Sequence, residues 1–182
     1  DLFGVGHGQR EARQRRGITV VVEQVGHQRD ADRAGRADRQ CRLVLFGAPV
    51  AHEDDPERAV RAALKMQRVV GDFVCTSELA GSDDIRMRVG INTGEVLVGT
   101  LAGTDYTAMG DVVNTASRLQ ATAPAGGVLV GESTHDLTAH TFLYEPFGAV
   151  QPRGREQSLG AWLAVEAAVA DLPLRPWPPW AY

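Results

Sequence analysis

Asn114 and Arg118 stand four residues apart in the stretch Tyr106–Leu119, YTAMGDVVNTASRL. Val112, Ala116 and Leu119 recur at helical spacing through it, so a helix with one buried side is expected there. Residues four apart project from one face of such a helix. A carboxamide beside a guanidinium offers directed donors and a fixed positive fork, which suits an anionic, oxygen-rich ligand such as a triphosphate. An ordinary surface Asn and Arg on an amphipathic helix would show the same spacing. Gly110 breaks the extended run ahead of the helix, and Asp111 is expected to act as its N-cap rather than as a metal ligand.

The elements that must position this pair are legible from Leu43 onward. Leu43–Phe46 reads as a short strand stopped by Gly47 and Pro49. Asp55-Pro56-Glu57 is a helix start, with Asp at N-cap, Pro at N1 and an acid in the first turn. Ala59, Ala62, Ala63, Met66, Val69, Val70 and Phe73 then make one apolar stripe, so a helix of about four or five turns is expected to lie on a sheet, with Met66 in the core. His52 reads as a loop histidine, since nothing near it completes a metal set. Arg86–Ile91 alternates, Asn92-Thr93-Gly94 reads as a hairpin turn with Gly supplying a positive φ, and Glu95–Thr100 reads as the returning strand. Pro124–Gly127 is a turn, Val128–Val130 a strand, Glu132–Thr138 a short helix, and Phe142–Glu145 and Leu159–Ala164 the last strands. Before Leu43 only Ile18–Val22 reads as a strand.

Composition sets the class. The chain has 182 residues, 43% hydrophobic and 23% charged, enough for one globular domain with a core. Its net charge of −4 points away from nucleic acid, although nine Arg against six acids in residues 1–42 leave that end basic. Two cysteines, Cys41 and Cys75, make neither a disulfide framework nor a zinc site and fit a reducing interior. No apolar run approaches the ~18 residues of a membrane span, so a cytoplasmic protein is expected. The chain begins with Asp1, so it reads as a fragment, and Ala170–Tyr182, rich in Pro and Trp, reads as a linker or as a segment that docks on a partner.

Four blocks in order, FGAPVAHEDDPERAVRAALKMQ (Phe46–Gln67), RMRVGINTGEVLVG (Arg86–Gly99), YTAMGDVVNTASRLQ and GGVLVGESTH, resemble the catalytic domain of class III nucleotide cyclases of the bacterial adenylate cyclase kind. The resemblance runs from about Leu43 to Val165, dividing the chain into an aberrant segment 1–42, a cyclase-like domain 43–165 and a tail 166–182. It implies an α/β sandwich related to the ferredoxin-like fold, with a mostly antiparallel sheet, helices packed against one side and incomplete N-terminal elements. It implies conversion of ATP, or GTP, to a 3′,5′-cyclic monophosphate and pyrophosphate, in a head-to-tail homodimer or with a partner cyclase chain, using Mg²⁺ or Mn²⁺.

Residue by residue, the resemblance puts Asn114 where the family orients the ribose and Arg118 where it meets the α-phosphate in the transition state. Thr107 falls at the base-reading position, where a hydroxyl fits adenine without proving it. Arg153, in QPRGRE, falls where the family often has a Lys on the triphosphate. Polar loop residue and solvated surface charge are the alternatives for these two. Asp1, in Asp1-Leu2-Phe3-Gly4, stands where a metal-binding Asp is expected, although the motif breaks off at Val5 and a mere chain end is the alternative. The second metal Asp is absent, with Cys41-Arg42-Leu43-Val44 in its region, and so is the base-reading Lys. Roughly residues 5–42 are therefore read as a frame-shifted stretch of a cyclase gene or as a divergent arm. Two functions follow: an active cyclase, or an incomplete cyclase-like module that binds nucleotide or completes a partner chain.

Overall fold

In the computed structural model the described residues are 13–27, 41–48, 50–76, 85–101, 104–150 and 158–167. They form β1 (Arg13–His27), β2 (Cys41–Phe46), α1 (Asp55–Thr76), β3 (Ile85–Leu101), β4 (Thr104–Met109), α2 (Asp111–Thr122), β5 (Val128–Gly131), α3 (Glu132–Thr138), β6 (Phe142–Val150) and β7 (Leu159–Ala167). The strands make one seven-stranded sheet in the order β2-β1-β3-β5-β7-β6, with β4 paired to β3. Every pairing is antiparallel except β3 with β5. The mostly antiparallel α/β architecture expected from the sequence is present.

β3 is the spine of this sheet, and here the structure corrects the hairpin expected at Asn92-Thr93-Gly94. Those residues stay in the ladder, opposite Val20, Thr19 and Ile18 of β1. The chain reverses later, where Leu101 of β3 pairs antiparallel with Thr104 of β4. Gly94 is there for space rather than for a turn: a Cβ on it would come within 2.7 Å of Val112 Cγ2. The strand expected at Ile18–Val22 lies inside the longer β1.

Alternation along β3 and β5 assigns the two faces. Met87, Val89 and Ile91 with Val128 and Val130 pack beneath Ala59, Val60 and Ala63 of α1, beside Phe142. Leu129 points the other way and packs with Leu119 and Ala123 at the end of α2, alongside Ala161. The helices therefore cover both faces, α1 and α2 on opposite sides, which corrects the one-sided arrangement expected.

α1 is 22 residues long, more than the four or five turns expected, and its buried face is narrower than the apolar stripe. Ala59, Ala63, Met66 and Val70 meet the core, while Val69 and Phe73 are 59% and 49% exposed. At ~100° per residue those two lie roughly 80–120° away from Ala63, beyond the sheet's cover. The core-facing line instead admits a polar residue, Gln67, whose Nε2 donates to the Met87 carbonyl at 3.1 Å and the Gly127 carbonyl at 3.2 Å. Asp55 is buried and its Oδ2 accepts the His52 backbone N–H at 2.7 Å, a cap reaching back to the residue before the turn.

α3 is pinned to the α1 side by hydroxyls. Thr134 and Thr93 of β3 share a buried bond of 3.0 Å, and Thr138 Oγ1 meets the Tyr144 hydroxyl at 2.6 Å. Burial pushes the Tyr144 hydroxyl up to about 12 from 10.0, against the opposing bond to Thr138 and with the Glu57 carboxylate adding to the rise. The folded chain thus holds the phenol proton more tightly than the unfolded one. That contribution to stability is complete below about pH 10 and disappears as pH rises through about 12. Tyr144→Phe is expected to cost about 1 kcal/mol at pH 9. Denaturant midpoints at pH 9 and near the top of that window should show the gap between wild type and variant closing, because only the wild type has this phenol to ionise on unfolding.

Candidate active site

Residues of β4 run straight into α2, and Gly110 joins the two. Its φ of +148° lies in the region that favours glycine, and it occupies the N-cap position. Its carbonyl accepts from Val113 N at 3.2 Å and Asn114 N at 3.3 Å. Asp111 is the first helical residue and Gly110 stands at the N-cap, which corrects the N-cap role expected for Asp111. The backbone carbonyl of Gly110 closes the first turn without it, and the Asp111 carboxylate remains an acid in that turn, favourably placed against the helix dipole.

α2 sits unusually close to the sheet. A Cβ at Gly90 would collide with the Ala116 carbonyl oxygen and Gln120 N, with Gln120 Cα 2.9 Å away. Val112 and Val113 pack around Val96 and Ala116, with Leu45 and Ala48 beside them. Ala116, Leu119 and Gln120 are buried, as the helical spacing expects for the first two. Asn114 is exposed and Arg118 half-buried, one turn apart. The helix thus has a fixed inner side and carries the amide and the guanidinium along its flank.

Thr107 lies in β4 opposite Gly99, three residues ahead of Gly110. Arg153 and Asp1 lie outside the described residues; among those described, α2 carries Asn114 and Arg118 one turn apart. Among the described residues the donor set does not fit the metal ions. Among the described residues no group of three or more His, Cys, Asp or Glu side chains stands together. β2, where the family resemblance asks for a carboxylate, brings Cys41 opposite Gln24 and Arg42 opposite Glu23. His52 lies with Asp55 and Arg58 at the start of α1, in keeping with its reading as a loop residue.

What the sequence reading missed is the glycine pair Gly90 and Gly94. Both interrupt the alternating pattern of β3 on the same side, four residues apart, a signal of close approach by another backbone.

The sequence profile described as adenylate and guanylate cyclase catalytic domain matches residues 40–165. Adenylate cyclase 1 of Rhizobium meliloti is 32% identical over 128 residues, 68% of this chain and 19% of that protein. A receptor-type guanylate cyclase of Caenorhabditis elegans is 25% identical over 125 residues, 66% of this chain and 10% of that protein. The chain therefore spans less than a fifth of either relative. Among solved structures, the guanylate cyclase domain of RhGC from Catenaria anguillulae, in complex with GTP, superposes with a TM-score of 0.71 at 22% identity, covering 86% of this chain and all of that one. The adenylyl cyclase CyaB from P. aeruginosa superposes with a TM-score of 0.69 at 22% identity, covering 85% of this chain and 96% of that one. Among the described residues no helix is long and apolar enough to cross a membrane.

Proposed function

From the premise that this chain belongs to the adenylate and guanylate cyclase catalytic-domain family, we propose that it converts ATP to 3′,5′-cyclic AMP and pyrophosphate in intracellular signalling. The observation that carries this is the flank of α2, where Asn114 and Arg118 lie one turn apart on a helix seated directly against the sheet.

In the reaction the ribose 3′-hydroxyl gives up its proton to solvent as its oxygen attacks the α-phosphorus, the bond from that phosphorus to the oxygen bridging to the β-phosphate breaks, and pyrophosphate departs. Negative charge gathers on the transferring phosphoryl group, and the Arg118 guanidinium is the fixed positive fork that meets it. Asn114 holds the ribose so that its 3′-oxygen stays in line, a positional contribution. Thr107 contacts the adenine edge and Arg153 the triphosphate. The Thr107 hydroxyl and the likeness to the Rhizobium enzyme support adenine, while relatives of both specificities make GTP the substrate to test beside ATP. Because Asn114 faces outward, the pair is expected to act across an interface, on nucleotide shared with a second copy or a partner cyclase chain. The family's Mg²⁺ or Mn²⁺ has no carboxylate seat among the described residues, so no step is assigned to it.

That mismatch favours a second reading, in which the chain supplies Asn114 and Arg118 to a metal-competent partner and is inactive alone. Incubation of the chain with Mn²⁺ and ATP or GTP, with chromatographic detection of cyclic nucleotide, separates the two. Cyclic AMP from the chain alone supports the first reading. Silence alone, with activity restored by mixing with a cyclase that lacks its own transition-state Arg, supports the second. Cyclic GMP as the only product would reverse the base assignment, and the absence of both product and complementation would overturn both readings.

A further inference from the structure

Gly90 and Gly94 face α2 from the same side of β3 and act as two seats for it. The four strand steps between them span ~13 Å, and the eight helical steps from Val112 to Gln120 span ~12 Å, so α2 runs along β3 with its first turn over Gly94 and its last turns over Gly90. Asn114 falls between Val112 and Ala116, and Arg118 between Ala116 and Gln120. We infer that Gly94 is a positioning residue for cyclisation: its missing side chain sets the height of the first turn of α2 above β3, and with it where Asn114 and Arg118 meet the nucleotide. The inference rests on the reading of that pair given above.

The two seats differ in what can yield. Over Gly90 the obstructing atoms are backbone. Over Gly94 the obstacle is one methyl of Val112, at 2.7 Å from the added Cβ. A helical valine holds essentially one χ1 rotamer, so that methyl cannot swing aside. Restoring an ordinary ~3.5 Å contact then moves the first turn outward by about 0.8 Å. Gly110, with its φ of +148°, is the joint between β4 and α2 at which the chain takes up that shift. Reacting groups must be held within about 0.5 Å, and a misplacement of about 1 Å can lower a rate by about 10²-fold.

The test compares Gly94→Ala, Val112→Ala and the two together in the full chain, with whatever partner supports wild-type turnover. Assays run well below each variant's melting temperature, so that lost packing by itself leaves the rate alone. Gly94→Ala is expected to lower kcat by roughly 10- to 100-fold. The double variant, which removes the obstructing methyl, is expected to recover most of that loss, and Val112→Ala to keep wild-type kcat. Crystal structures superposed on the sheet should show Asn114 Cα displaced by about 0.8 Å in Gly94→Ala and returned in the double variant. Full kcat in Gly94→Ala overturns the inference, as does a kcat that stays low in a double variant whose helix has returned. A wild-type chain that makes no cyclic nucleotide with any partner refutes the functional reading. In that event the crystal structures still decide the positioning: an unmoved Asn114 in Gly94→Ala refutes it separately.

Discussion

Arg118→Ala is expected to reduce cyclic-nucleotide formation by roughly 10²–10³-fold, the usual consequence of deleting one donor aimed at developing charge. That range corresponds to about 2.7–4 kcal/mol of transition-state stabilisation. The loss should fall on kcat more than on KM, because the charge that the guanidinium meets is greatest as the ring closes. Arg118→Lys tests geometry against charge. An ammonium keeps the positive charge but loses the planar fork, so the rate is expected to recover only in part. Arg118 is half-buried on the flank of α2 and has other interactions there, so some loss of stability accompanies the change. Steady-state kinetics and a melting curve on the same sample separate the two effects. A kcat within twofold of wild type would remove Arg118 from the chemistry and leave it a surface arginine.

The same residues show what a sequence can and cannot disclose. α3 was readable to the residue, because Glu132–Thr138 is short, begins after Gly131 and is followed by a turn. The turn at Pro124–Gly127 was readable for a similar local reason, with Gly126 at a φ of +79°. Asn92-Thr93-Gly94 misled because local turn chemistry and long-range packing ask for the same residue types. Asn-x-Gly satisfies a hairpin, but in β3 the glycine admits Val112. The two glycines of β3 signal that some element comes close on that side, but not that it is α2, some twenty residues later. Val69 and Phe73 misled in the opposite direction. Apolar character continued along α1 past the width of the sheet beneath it, and only the tertiary structure decides where cover ends. Gln67 shows the complement, a polar side chain inside the apolar line, retained because two backbone carbonyls at Met87 and Gly127 accept its hydrogen bonds. For the site, the spacing of Asn114 and Arg118 fixed a shared helical face from the sequence alone. Their depth was not legible, because it depends on glycines in another element.

Gly90→Ala should damage the fold more than Gly94→Ala does. The added carbon would be driven into the Ala116 carbonyl oxygen and Gln120 N, with Gln120 Cα 2.9 Å away. Those atoms belong to the backbone of a helix whose hydrogen bonds they help to make, so no change of rotamer can clear them. Either α2 lifts as a body from the sheet, uncovering Leu119 and Leu129, or β3 bows away and disturbs its pairing with β1 and β5. Overpacking typically costs 1–3 kcal/mol, and a collision with backbone lies at the top of that range or above it, at about 3 kcal/mol. For a chain of 182 residues this is expected to lower the melting temperature by about 6–12 °C. Thermal unfolding followed by circular dichroism measures it directly. Truncating Val112 should give no relief, in contrast to Gly94→Ala, because Val112 lies over the other seat. A Gly90→Ala chain that melts within a degree of wild type would mean that α2 does not lie this close to β3, and the shared placement of Asn114 and Arg118 would lose its foundation.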